Sequence, residues 1–143
     1  MAARALTDAE RRGLVAAARA VLPRSYAPYS RFPVAAAVMD EAGRVFAGVN
    51  VENASFGLSI CAERAAVFRA VAEGARRLVA CAIVTPTAEL TPPCGACRQV
   101  LLEFGPEMEI LLARAEGDDL PARFRLPELL PRAFTTFTPG EAE

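Results

Sequence analysis

The chain has 143 residues, 53% of them apolar, with a formal net charge of −1 and no histidine. That length suits one domain, 1–143, able to bury roughly 70% of its unfolded-chain surface without disulfide staples. The balanced charge excludes nucleic acid as the main partner, since phosphate binding draws on clustered basic surface.

In chain order, Met1–Arg12 lacks the apolar stretch of a signal peptide, and no run approaches the ~20 apolar residues that span a bilayer. The expected setting is cytoplasmic, with no membrane partner. The four cysteines then read as metal-binding or reactive thiols rather than as a disulfide framework. Every basic residue is Arg, a compositional bias to which no function is assigned. The apolar share, slightly above the usual ~45–50%, points to a subunit interface.

Thr7-Asp8-Ala9-Glu10 is a capping box with Leu6 ahead of it. The helix it starts carries Leu14, Ala17, Ala18, Val21 and Leu22 and stops before Pro23. Residues 25–30 form a loop. Val34–Met39 and Val45–Val49 read as strands of a hairpin around Glu41-Ala42-Gly43. A polar connection over 50–60 precedes a helix from Cys61 to Glu73, with Ala65, Val67, Phe68 and Val71 apolar and Gly74 at its C-terminal cap.

Leu78–Val84 is a continuous apolar run, the pattern of a strand buried on both faces. A second helix runs from Cys94 to Phe104, followed by a buried strand at Met108–Leu112. Ala122–Leu126 reads as an edge strand and Pro127–Leu130 as a helical turn. This alternation is an α/β layer fold.

The chemistry concentrates in Cys61-Ala62-Glu63 and Pro93-Cys94-Gly95-Ala96-Cys97. Three thiolates leave the fourth tetrahedral position of a zinc ion open to water, the pattern of a catalytic rather than a structural site. C-x-E with P-C-x-x-C is the all-cysteine form of the base-deaminase signature. Cys94 and Cys97 share one face of a helix start, and Cys61 also begins a helix. Three thiolates around a dication leave one excess negative charge, which two helix N-termini would offset. Arg64, one turn beyond Cys61, is placed to hydrogen-bond a ligand sulfur.

Each element has a plainer reading. Cys-Gly-Ala-Cys alone reads equally as a redox dithiol. A closed structural site would need Cys81 as fourth ligand, but that residue sits inside an apolar strand and reads as a small buried hydrophobe. Glu63 alone is an acidic residue favoured in a first helical turn; as a general acid/base it is the best-placed carboxylate in a chain without histidine.

These motifs, with Tyr26-Ala27-Pro28-Tyr29-Ser30-Arg31-Phe32, Gly48-Val49-Asn50-Val51-Glu52-Asn53-Ala54 and Leu129-Leu130-Pro131 with Phe134, resemble the small Cys₃-zinc cytidine deaminases over almost the whole chain. The resemblance implies a three-layer α/β/α fold with a five-stranded mixed sheet, one Zn²⁺ per subunit and a homotetramer with shared active sites. It implies hydrolysis of cytidine and deoxycytidine to uridine and deoxyuridine plus ammonia, as in pyrimidine salvage.

By the same resemblance, Cys61, Cys94 and Cys97 ligate zinc and Glu63 carries protons. Asn50 and Glu52 hold the ribose hydroxyls, Phe32 packs on the pyrimidine, and Ala62 reads the base edge. Phe56 and Phe134 complete a neighbouring subunit's pocket. Without the motif, Asn50 and Glu52 would read as a solvated loop and Phe32 as a core aromatic. Ala35 stands where the family usually has Gly, and Phe56 where it often has Tyr. A deaminase of a modified cytosine nucleoside, of the blasticidin type, is a second reading, and a thiol-redox or structural zinc protein a third.

Overall fold

The strands follow from short runs of β-branched and small apolar residues, and their period-2 alternation sorts two cores. A computed structural model describes residues 4–140; residues 1–3 and 141–143, part of the expected 1–143 span, lie outside the described residues. The strands are β1 (Ala35–Asp40), β2 (Val45–Val49), β3 (Leu78–Thr85), β4 (Glu109–Arg114) and β5 (Ala122–Arg125). They form one mixed sheet in the order β2-β1-β3-β4-β5, with β3 and β4 parallel and the other neighbours antiparallel.

Helix α1 (Asp8–Val21) lies on one face of the sheet, where Leu14, Val15 and Ala18 meet Ala35, Ala37 and Val84. Helices α2 (Ala62–Ala72) and α3 (Gly95–Phe104) cover the other face, over Ala36, Val38, Cys81, Ile83 and Ile110. The result is the expected three-layer α/β/α architecture. All eight residues of β3 are buried, which is why its sequence shows no alternation.

The capping box forms as expected: the Glu10 main-chain N–H donates to Thr7 Oγ1 at 3.1 Å and the Thr7 N–H donates to Glu10 Oε1 at 3.0 Å. Ala122–Arg125 is the edge strand, and Leu126–Leu129 (α4) is the short helical turn after it. Element ends shift by one or two residues, with Val34 and Met108 just outside their strands.

The expected apolar face of α2 needs correction. Val67 is buried and Val71 packs on the core as expected, but Phe68 is 50% exposed, and the buried face also takes in Ala62, Ala66 and Ala70. Small residues are required there because α2 lies directly against β2. A Cβ added at Gly48 would fall 2.5 Å from the Ala66 main-chain nitrogen and 2.9 Å from the Ala65 carbonyl carbon. The close approach is paid on both sides, by Gly on the strand and Ala on the helix.

Topology places three segments at one end of the sheet. Ala35 pairs with both Val49 and Val84, so residues 32–34, the chain leaving β2 at Asn50 and the loop leaving β3 after Thr85 all gather there. The N-termini of α2 and α3 return to the same end.

Two glycines separate packing from conformational entropy. Gly48→Ala should destabilise the protein by about 1–3 kcal/mol through overpacking. Gly13→Ala, inside α1 with nothing within 4 Å of its added Cβ, should stabilise it, by about 1 kcal/mol from helix propensity. Thermal melts of the two variants should therefore move in opposite directions.

Candidate active site

Cys61 is the N-cap of α2 and Cys94 the N-cap of α3, both in extended backbone conformation, with Cys97 in the first turn of α3. Their Sγ atoms all lie within 4.8 Å of one another, and Cys61 Sγ is 3.8 Å from Cys94 Sγ. A tetrahedral zinc with Zn–S of about 2.3 Å separates its sulfurs by about 3.8 Å, so the cluster fits one Zn²⁺. Cys81, fully buried in β3, lies outside the cluster and its thiol is pushed up by burial, as a core residue should be.

The electrostatics suit an anionic ligand set. Arg64 Nη2 donates to Cys61 Sγ at 3.3 Å. Among the described residues, the Arg64 Nε–H is the one buried side-chain polar atom without a hydrogen-bond partner. A guanidinium with a spare buried donor beside three sulfurs is a fit for thiolates rather than thiols. Hydrogen bonding from Cys97, then from Arg64 and Cys94, draws the Cys61 thiol down to about 5, while Cys97, sharing that bond and buried, is pushed up.

Glu63 is 5% exposed, and burial, reinforced by the neighbouring Cys61 thiolate, lifts its carboxyl to about 7. It faces a cavity of about 290 Å³ whose walls include Phe32, Asn50, Glu52, Cys61 and Cys94. Ala62 lines the same cavity. A larger hollow of about 510 Å³ lies elsewhere, among Arg4, Glu107, Glu109, Arg123 and Arg125. Its charges are largely paired, Arg123 with Glu109 and Arg125 with Glu107.

Asn50 and Glu52 organise the loop ahead of β1. Asn50 Oδ1 accepts from Ser25 Oγ and from the Val34 N–H at 2.9 Å, and its Nδ2 donates to the Phe32 carbonyl at 2.8 Å. Glu52 Oε1 accepts the Tyr29 and Ser30 N–H groups, each at 3.0 Å, and Oε2 accepts the Ser30 hydroxyl. The Ser30 hydroxyl bond holds the Glu52 carboxyl below the usual carboxylate range. Asn50 and Glu52, which without their motif would read as a solvated loop, thus form a hydrogen-bonded bracket around Phe32.

Phe56 and Phe134 do not enter this cavity. Phe56 is 73% exposed and packs edge-on against Tyr29, with ring centroids 5.7 Å apart. Phe134 is 65% exposed and stacks on Phe137 at 6.3 Å. Ala35 points into the α1-side core, away from the cavity.

Sequence reasoning gave no role to Ser25 and Ser30, which complete the bracket, or to Thr91, which lines the cavity and bonds the buried Thr85 hydroxyl at 3.0 Å. The double proline after Thr91 was a usable signal, since a segment without N–H groups must be anchored by side chains.

Comparison with known proteins agrees with this geometry. The family model described as the cytidine and deoxycytidylate deaminase zinc-binding region matches residues 9–113. A cytidine deaminase of Halalkalibacterium halodurans is 49% identical over 112 residues, covering 78% of this chain and 83% of the relative. One from Mycobacterium tuberculosis is 49% identical over 111 residues, covering 77% and 78%. The crystal structure of cytidine deaminase from Burkholderia pseudomallei superposes with a TM-score of 0.80 at 47% identity, covering 86% of this chain and 98% of that one.

Metal analysis separates the cysteines. Cys81→Ala should retain one zinc per chain, with stability changed by about 1 kcal/mol. Alanine at Cys61, Cys94 or Cys97 should abolish stoichiometric zinc; loss of metal on removing Cys81 would instead indicate a closed four-sulfur site.

Proposed function

The chain belongs to the zinc-binding cytidine and deoxycytidylate deaminase family, and we propose that this zinc-dependent hydrolytic deaminase converts free cytidine and deoxycytidine to uridine and deoxyuridine plus ammonia. The observation that carries the reading is the buried Glu63 carboxyl beside the three-sulfur cluster, both facing the cavity lined by Phe32, Asn50 and Glu52.

When bound by Cys61, Cys94 and Cys97, Zn²⁺ supplies a Lewis acid and lowers the pKa of water held there. Glu63, with its carboxyl near 7, is suited both to accept and to return a proton at neutral pH. It takes one proton from the water that attacks C4 and delivers it to ring N3. It then takes the proton of the new C4 hydroxyl and gives it to the amino nitrogen, which departs as ammonia as the C4 carbonyl forms. The Ala62 main chain reads the base edge, and Phe32 packs on the pyrimidine face.

Asn50 and Glu52 bind the sugar hydroxyls. Both Asn50 Oδ1 acceptor positions are filled internally, which leaves its second Nδ2–H as donor. Among the described residues, Glu52 Oε2 accepts only from Ser30, which leaves a lone pair for a hydroxyl. A carboxylate at the sugar would repel a phosphate, which favours nucleosides over nucleotides.

The exposed Phe56 and Phe134 complete the pocket of a neighbouring subunit in a homotetramer. Their exposed apolar surface, which Tyr26, Tyr29 and Leu58 extend, supports that assembly. The working unit is one deaminase domain over 1–143 in the cytoplasm; no described helix is long and apolar enough to cross a membrane.

Glu63→Gln should keep zinc and bind cytidine while kcat falls by at least about 10²–10⁴-fold; an active, correctly folded variant overturns the assignment. Loss of nucleoside absorbance should be seen with cytidine and deoxycytidine and not with CMP or adenosine. Sedimentation should give four subunits, and Phe134→Ala should raise KM without changing that mass; a fully active monomer would refute shared sites.

A further inference from the structure

The loop that delivers Cys94 to the metal cluster has almost no support of its own. Pro92 and Pro93 lack N–H groups, and among the described residues no main-chain group of 86–93 joins a main-chain to main-chain hydrogen bond. The first part of the loop hangs on hydroxyls: Thr85 Oγ1 pairs with Thr87 Oγ1 at 2.8 Å and Thr91 Oγ1 at 3.0 Å. The last part is held by Arg98, whose Nε donates to the Pro93 carbonyl at 2.8 Å.

The same guanidinium reaches a second segment. Its Nη1 donates to the Leu129 carbonyl at 2.6 Å. Leu129 ends α4, where carbonyls have no intrahelical partner. The next residue, Gln99, donates from Nε2 to the Phe134 carbonyl at 2.8 Å. Two consecutive side chains of α3 therefore fasten the C-terminal segment, and only Arg98 also fastens the metal loop.

Cys94 is the ligand that needs this help. The residue is exposed and its sulfur accepts a neutral main-chain N–H, that of Cys97, at 3.5 Å, whereas the Cys61 sulfur is bonded by the charged Arg64 guanidinium at 3.3 Å. The peptide between Pro93 and Cys94 sets the direction in which the Cys94 side chain leaves the main chain. Fixing the Pro93 carbonyl fixes that peptide.

We propose that Arg98 is a positioning residue for the metal centre, bridging the Pro93 and Leu129 carbonyls so that docking of the C-terminal segment sets the placement of the Cys94 sulfur. The planar fork suits the task because two of its donors point at acceptors on separate segments. Lysine keeps the charge but cannot reproduce the fork. The inference rests on Cys61, Cys94 and Cys97 holding the metal, and it touches no group that reacts.

The test uses metal readouts rather than turnover. The full-length protein and its Arg98→Ala, Arg98→Lys and Gln99→Ala variants are loaded with Zn²⁺, and transfer to a chromophoric chelator is timed. The Co²⁺ forms are compared by visible absorption. Arg98→Ala should release metal about 10–100-fold faster and shift the Co²⁺ bands, with Arg98→Lys between it and the parent. Gln99→Ala, which frees only the Phe134 carbonyl, should match the parent in both measurements.

Parent-like release and spectra in the folded Arg98 variants overturn the proposal; if the alanine variant does not fold, a parent-like lysine variant does so alone. Faster release from Gln99→Ala equal to that from Arg98→Ala also overturns it, since general loosening of the C-terminal segment would then suffice. A parent protein that takes up neither metal overturns the metal reading itself, and this inference with it.

Discussion

Three cysteine sulfurs within 4.8 Å of one another can carry negative charge together only where positive potential converges on them. Here that potential has three sources: the N-termini of α2 and α3, which are capped by Cys61 and Cys94, and the Arg64 guanidinium. Such a shell matters for zinc chemistry because electron-rich thiolates weaken the ion's pull on its water. Each positive contributor withdraws part of that density. Burial at the same end of α2 also raises the carboxyl of Glu63, so the charge on the sulfurs and the state of that carboxyl depend on one packed helix end.

The sheet exists, functionally, to bring the two helix ends together. With β1 between β2 and β3 and antiparallel to both, the chain leaves β2 and β3 at the same end. Helices that follow those strands run back over the sheet and must begin near that end. Ligand sites in α/β sheets gather where strand ends open into such loops. The separation of the helices is then set by side-chain size. Gly48 lets α2 descend onto β2, and the Ala62, Ala66 and Ala70 face allows the descent without a cavity. A larger residue at either place would move Cys61 away from Cys94.

The zinc motifs were legible because their information is local: a cap position, a three-residue spacing and a carboxylate two places on. The strands were legible from continuous or alternating apolar runs. What could not be read was that Phe68 lies off the buried face of α2, because it fits a helical period with Val71 as well as Ala66 does with Ala70. Packing distance decides that question, and packing distance was encoded in a glycine of another element. The role of Arg98 was hidden for a similar reason. Its two acceptors are main-chain carbonyls of residues 93 and 129, and any sequence supplies carbonyls.

Asn50 and Glu52, proposed to bind the sugar, are structural residues as well. Together they take hydrogen bonds from Ser25, Tyr29, Ser30 and Val34 and give one to Phe32, so the wall of the cavity is strung from the groups proposed to hold the sugar. The bracket also keeps Arg31 in the left-handed region at φ 55°. That conformation costs a non-glycine residue roughly 1–2 kcal/mol and persists only when its neighbours are fixed. Removing either side chain would therefore displace Phe32 as well as delete a contact, and the two effects would enter KM together. Ser30 separates them. Its hydroxyl bridges Glu52 Oε2 and the Phe32 N–H, the latter at 3.1 Å, so losing it loosens the aromatic wall while both proposed sugar contacts remain.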